Sequence, residues 1–312
     1  MYLRKIAPKS VLRFLKEQKF KREDRLEFRM DRRLYVEFST PDESRGKGSP
    51  AGGNLEAQLT KDYHRVEKGL SFPEPRRPFG ADVGRRLAAL APLASESRYG
   101  VFASEALIAL NSWNEGGSRD TTLVSRMRDR PVLDEDDLAQ FFSSRHSVRT
   151  FDPARTVSRE ELRRALEIAL TSPSVCNRQS GRVRFFHDPS TVRSLLSLQN
   201  GNAGFRDQIP AVAIVTVDRR LFTGITERNQ RWIDGGLFAM TLVWGLHAAG
   251  VASCMLNWSV NNKRTDQLRA AAQIPRSEDV ICMIAIGHAA EEALVARSPR
   301  RSAEEVSNLS DY

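Results

Sequence analysis

The second half of the chain alternates between two spacings of apolar residues. A helical spacing follows the capping residue Ser158 as far as Leu170, and short apolar runs typical of strands occupy residues 182–186, 211–217, 251–256 and 280–286. Further helices are predicted over 190–198 and 265–272, together with a long helix that opens at Asp234 and stops before Gly250. Because helices and strands interleave, this half is predicted to be α/β or α+β.

The first 140 residues are patterned differently. Ser10 and the apolar residues at 11–15 predict a short amphipathic helix, but a strand-like alternation follows at Leu26, Phe28, Met30, Leu34, Val36 and Phe38, so two architectures stay open. Residues 39–54 are rich in Pro, Gly, Ser and charge, which predicts a flexible linker. From 55 to 138 the spacing is mostly helical. We therefore predict an accessory region over 1–140 and a second domain over 141–312.

Composition narrows the class of protein. The 312 residues include 40% hydrophobic and 28% charged residues, which excludes a disordered or fibrous chain. Cys176, Cys254 and Cys282 lack metal-ligand or disulfide-framework spacing, so we expect neither a zinc site nor disulfides, and a cytoplasmic location. The uncharged stretch 235–262 is long enough for a membrane span, but Gly250 divides it, and a buried helix followed by a strand is the better interpretation.

The basic balance points to an anionic ligand without choosing one. Lys and Arg number 48 against 39 Asp and Glu, a net charge of +9. Nucleic acid is one alternative, yet the basic N-terminus carries no recognisable nucleic-acid module or interleaved aromatic residues. The densest cluster of donors is the segment 144–151, with Arg145, His146, Ser147 and Arg149, which suits a phosphate, although a solvated basic turn is an equal alternative.

A second polar segment follows at 172–179, and the two segments together carry a resemblance. Arg145, Ser147, Arg149 and Phe151, followed by a Ser-Pro-Ser-x-x-Asn-x-Gln segment at 172–179, resemble the opening signature of the nitroreductase family of flavin enzymes. Further matching stretches keep the same order, at 202–210, 234–236, 256–259, 284–288 and 300–306. The resemblance covers residues 141–312.

The resemblance implies an α+β, FMN-binding fold built as an intertwined homodimer, with a central sheet flanked by helices and with NADH or NADPH as electron donor. It assigns Arg145, His146, Ser147 and Arg149, with Arg300 and Arg301, to the FMN phosphate, ribityl chain and ring edge. It places Ser174 and Asn177 beside the flavin, the latter reaching it from the partner subunit, and Leu256, Asn257 and Trp258 over one ring face. Asn202 aligns loosely with a ring-edge contact. The flavin then carries the chemistry, so no catalytic triad is expected.

Two features depart from the usual family pattern. Ser298 stands where a lysine is common, and Ser302 and Ala303 replace a Pro-Leu pair, which predicts a weaker phosphate site. The stretch between Val217 and Asp234 is too short for the helical lid of many relatives, so the flavin site is either open or covered by the N-terminal region.

The uncharged helix over 235–249 bears on the oligomer. A segment that is apolar on every face must be buried all round, which favours an interwoven dimer, while a central core helix within one subunit is the alternative.

The N-terminal region carries its own motif. Residues 63–71 are similar to an element of nitroreductase-like proteins encoded near polysaccharide-biosynthesis genes; either they form a binding loop or they are a helix end capped at Gly69.

The functional expectation is an FMN-dependent oxidoreductase acting on a small organic acceptor such as a nitro compound, a quinone or a conjugated carbonyl. The alternative is a flavin-binding storage or redox-sensing protein with little turnover. Neither nucleic acid nor an integral membrane segment is expected.

Overall fold

The computed structural model describes residues 9–41, 53–127 and 131–308 of the chain. Four strands form one sheet: β1 (Gly181–Phe186), β2 (Ala211–Asp218), β3 (Ala252–Asn257) and β4 (Glu278–Gly287). The helices of the described residues are α1 (Lys9–Phe38), α2 (Gly53–Ser71), α3 (Ala81–Leu90), α4 (Arg98–Asn114), α5 (Glu135–Ser144), α6 (Arg159–Ala169), α7 (Pro189–Ser197), α8 (Gln230–Ala248), α9 (Asn262–Ala272) and α10 (Ala303–Val306). The predicted mixture of helices and strands is confirmed as α+β.

The sheet is antiparallel throughout, with the order β1-β2-β4-β3. Its two central strands carry almost continuous apolar runs and are buried along most of their length. The register pairs Gly181 with Val217 and Asn257 with Cys282, so the start of β1, the end of β2, the start of β4 and the end of β3 share one end of the sheet. The loop before β1 and the loop after β3 therefore lie at this end of the sheet.

Helices cover both faces of the sheet, as predicted. Helices α6 and α8 pack on one face through residues such as Ala165, Leu242 and Leu246, while α7 and α9 cover the other through Leu195 and Leu268. Helix α6 begins at Ser158 with a capping box in which Ser158 and Glu161 satisfy each other's backbone groups.

The long helix α8 differs from its prediction at one end. It starts at Gln230, one turn before Asp234, so Arg231 and Asp234 are buried inside a helix that was expected to be uncharged. It stops as predicted before Gly250, whose φ of +74° is the left-handed conformation that ends many helices. Gly245 allows α8 to approach α6, because a Cβ there would lie 2.4 Å from the carbonyl oxygen of Ala165.

The N-terminal region has a core of its own. Helices α2, α3 and α4 bury a set of leucines, among them Leu59, Leu70, Leu87 and Leu110, that is separate from the sheet's cores. The mostly helical expectation for 55–138 is therefore confirmed. Helix α5 spans 135–144, so the predicted domain boundary after residue 140 falls within a helix.

The strand-like prediction for residues 26–38 is wrong. These residues belong to the 30-residue helix α1, of which only Leu34 and Tyr35 are buried. The alternation does not mark a buried sheet face, because Leu26, Phe28, Met30 and Val36 stay exposed. Most of the predicted linker, residues 42–52, lies outside the described part of the chain.

The motif at 63–71 is helical from end to end. Gly69 lies inside α2 and not in a loop or at a cap. A Cβ at Gly69 would lie 2.4 Å from the ring of Phe79, so the glycine permits that ring to pack against α2. The buried carboxylate of Asp62 accepts two hydrogen bonds from Arg86, at 2.9 and 2.7 Å. Neither a binding loop nor a glycine cap is found here.

Among the described residues, no helix combines the length and the apolar character needed to cross a bilayer. The uncharged stretch 235–262 is instead divided between α8, β3 and the loop after β3.

Candidate functional site

Strand β3 organises the candidate site, because predicted site residues lie at both of its ends. At its start, Ser147 forms a parallel bridge with Ser253, and Val148 N donates to Ser253 O at 3.0 Å. Farther along, Phe151 bridges Ala289 after β4. The segment 145–151 is therefore held as an extra extended stretch against the edge of the sheet.

Two guanidinium groups on this segment have no acidic partner within the part of the chain that the structure describes. Arg149 Nη1 donates only to Ser147 O, at 3.3 Å, and its guanidinium lies 6.0 Å from the ring centre of Phe205. Arg145 lies 5.8 Å from the ring centre of Trp244. No carboxylate in the described ranges forms an ion pair with either arginine, and Arg149 is exposed while Arg145 is half-buried. His146 and Ser147 are half-buried between them.

Cys254 lies directly beneath these groups. Burial raises the pKa of its thiol above the ordinary range, and the charges of Arg149 and Arg145 act in the opposite direction, as does a hydrogen bond with Ser147. Because Ser147 is bridged to Ser253, the residue before Cys254, the segment that carries both arginines lies at the start of β3. A buried thiol with a raised pKa is unreactive, as expected for a core cysteine.

The end of β3 carries the loop predicted to lie over the flavin ring. Leu256 is buried in the core, Asn257 Nδ2 donates to Ser259 Oγ at 3.2 Å, and Trp258 Nε1 donates to Thr265 Oγ1 at 3.1 Å. The indole of Trp258 is half-buried against the sheet. These bonds fix the loop without a ligand.

Gln199 is a structural member of this site that sequence reasoning missed. Its Nε2 donates to Asn257 O at 2.9 Å and to Asn257 Oδ1 at 3.2 Å, and its Oε1 accepts from Gly201 N and Asn202 Nδ2. Gln199 is buried, and its hydrogen bonds join the loop that contains Asn202 to the loop that follows β3. No periodic signal distinguishes a single buried glutamine in a polar loop.

Asn202, which aligns loosely with a ring-edge contact, lies inside its loop. Its side chain is fully buried: Nδ2 donates to Leu196 O at 2.8 Å, and Oδ1 accepts from Arg206 Nε at 2.7 Å. Both polar atoms of the amide are bonded within the loop, so Asn202 holds the loop together.

The segment 174–179 is a tightly folded loop before β1. Cys176, Asn177 and Gln179 all have φ near +50°, a backbone conformation that residues other than glycine rarely adopt. Ser174 Oγ accepts from Gln179 N at 2.9 Å, and Gln179 Nε2 donates to Asn177 Oδ1 at 3.3 Å. The structure therefore brings Ser174 and Asn177 together in one strained turn.

Two buried charged groups hold this turn. Asp234 Oδ2 accepts from Val175 N at 3.1 Å, and burial raises the pKa of the Asp234 carboxyl above its ordinary value. On the other side, Arg178 pairs with Glu227 at 2.7 Å while its Nε donates to Val175 O. The sequence did not predict that Asp234 and Arg178 support this turn, because each acts through a partner far away in the sequence.

Arg300 and Arg301 lie on an exposed C-terminal segment. Arg300 Nη1 donates to Ser298 O at 2.7 Å, and Arg301 forms an ion pair of 3.7 Å with Glu305, next to the capping box at Ser302 that begins α10. These contacts stay within the segment, so the structure does not bring the two arginines to residues 145–149.

The arrangement along β3 has definite dimensions. Ser253, beside the segment that carries Arg145 and Arg149, lies four residues before Asn257, or about 13 Å along the strand. The turn at 174–179 is at the same end of the sheet as Trp258 but beside β1, three strand spacings or about 14 Å away. In one chain, the start of β3 is cationic and the end of β3 carries an aromatic side chain. The turn at 174–179 lies at the opposite edge of the sheet, beside β1.

The side chains at the start of β3 are hydrogen-bond donors, which suit an anionic group. Among the described residues, no group of three or more His, Cys, Asp or Glu side chains could hold a metal ion. Two unpaired guanidinium groups with a neighbouring hydroxyl suit a phosphate.

The comparisons with known proteins converge on one family. The model of the nitroreductase family matches residues 142–199 and 186–288. The CLA biosynthesis enone reductase of Lactiplantibacillus plantarum is 48% identical over 48 residues, which are 15% of this chain and 22% of that enzyme. The chain therefore spans about a fifth of the length of this curated relative.

Solved structures of the same class were also found. An FMN-dependent nitroreductase from Clostridium difficile R20291 is 22% identical, with a TM-score of 0.43 over 51% of this chain and 92% of that one. A nitroreductase family protein from Streptococcus pneumoniae TIGR4 is 18% identical, with a TM-score of 0.45 over 54% of this chain and 98% of that one.

Proposed function

Because residues 142–288 match the model of the nitroreductase family, we propose that the protein is an oxidoreductase that depends on FMN. In this proposal it transfers hydride from NADH or NADPH to a small organic acceptor: a nitro compound, a quinone or a conjugated carbonyl. The name of the enone reductase relative supports the conjugated carbonyl among these. The free state of Cys176, Cys254 and Cys282 supports a reducing, cytoplasmic compartment.

The observation that carries the proposal is the pair of unpaired guanidinium groups at the start of β3. In this proposal Arg145 and Arg149 bind the phosphate by charge-assisted hydrogen bonds, with His146 and Ser147 beside them. Arg300 and Arg301 join them when the C-terminal segment folds over the phosphate. The loop of Leu256, Asn257 and Trp258, about 13 Å farther along β3, supports the planar ring.

Bound FMN would supply the hydride chemistry, and the chain's own residues bind and orient it. Gln199 and Asn257 keep the ring-face loop in position, and the buried thiol of Cys254 fills the space beneath the phosphate segment without reacting. Convergent positive charge also favours an anionic ligand at this end of the strand.

We further propose that the protein is a homodimer. In the single chain, α8 exposes Ile233 and Leu237 at 53% and 41%, an apolar stripe of two side chains one helical turn apart. The turn with Ser174 and Asn177 is at the far edge of the sheet from Arg145 and Arg149. A second copy packed on this stripe would supply that turn to the flavin site of its partner.

The experiment is an absorbance spectrum of the freshly purified protein, followed by heat release and identification of the chromophore. The proposal expects flavin bands and released FMN, and oxidation of NADH or NADPH when an acceptor is added. A colourless protein that also fails to take up added FMN would show that the fold is kept without the chemistry. A yellow protein with no turnover toward several acceptors would favour flavin storage or redox sensing.

A further inference from the structure

An open cavity of about 500 Å³ lies between helix α1 and the loop after β3. Its sides include the indoles of Trp232 and Trp258. Helix α1 contributes the carboxylates of Glu27 and Asp31, and the floor includes Arg219 and Arg269. The cavity shares Trp258 with the loop assigned above to the flavin ring, whereas its α1 wall lies outside the residues matched by the family model.

Helix α1 is held over this cavity by specific contacts. Glu27 Oε2 accepts from Asn262 N at 2.7 Å and from Asn262 Nδ2 at 2.6 Å. Tyr35 is buried, its hydroxyl donates to Gly224 O at 2.7 Å, and its ring lies under the guanidinium of Arg231. The second half of α1 therefore packs on the short connection before α8, where no lid helix is present in the described chain.

The floor of the cavity carries two buried arginines, of which Arg269 pairs with Asp266 at 3.1 Å. Asp279 pairs with two buried arginines, Arg219 and Arg231. Arg269 is 6% exposed, and its Nε has no hydrogen-bond partner among the described residues. A buried donor without a partner favours a ligand that brings an acceptor oxygen.

The opposite wall carries negative charge. Both carboxylates belong to α1. Asp31 is exposed, and Glu27 is half-buried against Asn262, the first residue of α9. These carboxylates repel an anion that enters beneath α1, while the two indoles favour a flat, conjugated ring.

We propose that this cavity binds a neutral, planar conjugated molecule bearing a carbonyl or nitro oxygen, and that Glu27 and Asp31 select against negatively charged analogues. The ring lies against Trp232 and Trp258, and its oxygen faces the arginine floor. The identification of this molecule as the electron acceptor rests on the proposed function, but the binding site itself does not.

The test measures binding directly, by the quenching of tryptophan fluorescence in the purified full-length protein. The probes are 2-methyl-1,4-naphthoquinone, which is neutral, and 1,4-naphthoquinone-2-sulfonate, which is anionic. The neutral probe is expected to quench saturably. Trp258→Phe and Trp232→Phe should each remove part of the saturable signal. Trp113→Phe is the matched control, because Trp113 lies in the N-terminal region with its Nε1 bonded to Arg76 O.

The charge of the α1 wall is tested with the double variant Glu27→Gln, Asp31→Asn. It should bind the sulfonate about fivefold more tightly, as expected for two partly solvated charges, and the neutral probe within twofold of the unmodified protein. The matched control is Glu17→Gln, Glu23→Gln, which removes two carboxylates from the exposed first half of α1.

The outcomes distinguish failure of the cavity proposal from failure of the proposed function. The cavity proposal is overturned if quenching stays linear, if both tryptophan variants keep the full saturable signal, or if the two double variants change sulfonate affinity equally. If those results come from a yellow protein that oxidises NADH or NADPH, the proposed function stands. Saturable, Trp258-dependent binding by a protein that takes up no flavin would support the cavity and refute the proposed function.

Discussion

Two groups of arginines lie at opposite ends of the sheet and differ in their burial and in their carboxylate partners. Arg145 and Arg149, at the start of β3, have no carboxylate partner among the described residues. At the other end, Arg219 and Arg231 are buried and share the carboxylate of Asp279. The net charge of +9 counts both groups alike. The difference shows that burial and a partner, and not charge, decide whether an arginine is structural or available to a ligand.

The physical reason is the cost of removing charge from water. Burial lowers the pKa of Arg231 and of Arg269 below their ordinary values, so the interior opposes the charged form. Asp279 offsets this cost for Arg231 and Arg219. An exposed arginine such as Arg149 bears no such cost and keeps its donors for an anion.

Removing the shared carboxylate should have the largest effect. Asp279→Ala leaves Arg219 and Arg231 buried without their acidic partner, which typically costs about 3–5 kcal/mol. We expect a corresponding loss in the free energy of unfolding, measured by chemical denaturation. The control is Asp207→Ala, whose carboxylate is 85% exposed beside the exposed Arg193 and should cost less than about 1 kcal/mol. Equal losses in both variants would refute the structural role of the buried group.

Arg149→Ala tests the other group. Loss of a charge-assisted contact to a phosphate costs about 1.5–3 kcal/mol, so FMN should bind about 10- to 100-fold more weakly. The unfolding free energy should change little, because Arg149 is exposed and bonded only to Ser147 O. Flavin content per protein and titration with FMN measure the effect. Arg193→Ala, at a 72% exposed side chain far from β3 in sequence, is the control; unchanged flavin binding in Arg149→Ala would place the phosphate elsewhere.

Much of the sheet domain could be predicted from the sequence. Apolar runs gave all four strands to within two residues at each end, and the cap at Ser158 marked the start of α6. These signals are local: a buried strand must be apolar, and a capping box needs only two residues three positions apart.

The helix predicted from Ser10 is present as the start of α1, but its continuation through residues 26–38 and the supports of the candidate site could not be predicted. The alternation at 26–38 is typical of a strand, but in the helix only Leu34 and Tyr35 of these apolar and aromatic side chains are buried. Gln199, Arg178 and Asp234 are important through partners tens of residues away, such as Asn257 and Val175. No pattern along the chain contains those contacts.

A third kind of arginine, exposed and paired, should give the smallest effect. On α6, Arg163 and Arg164 hold Glu160 at 2.8 and 3.1 Å, and their hydrogen bonds lower the pKa of Glu160 to about 2. A folded-state pKa below the unfolded one stabilises the fold above pH 4.5, and this stabilisation is lost as the pH falls toward 2. Glu160→Gln should therefore lower the urea midpoint slightly at neutral pH and converge with the unmodified protein near pH 2. Glu74→Gln, an exposed carboxylate outside the helices, is the control. If the two variants follow the same pH dependence, an exposed pair contributes nothing, and only buried partners distinguish structural arginines from those open to ligands.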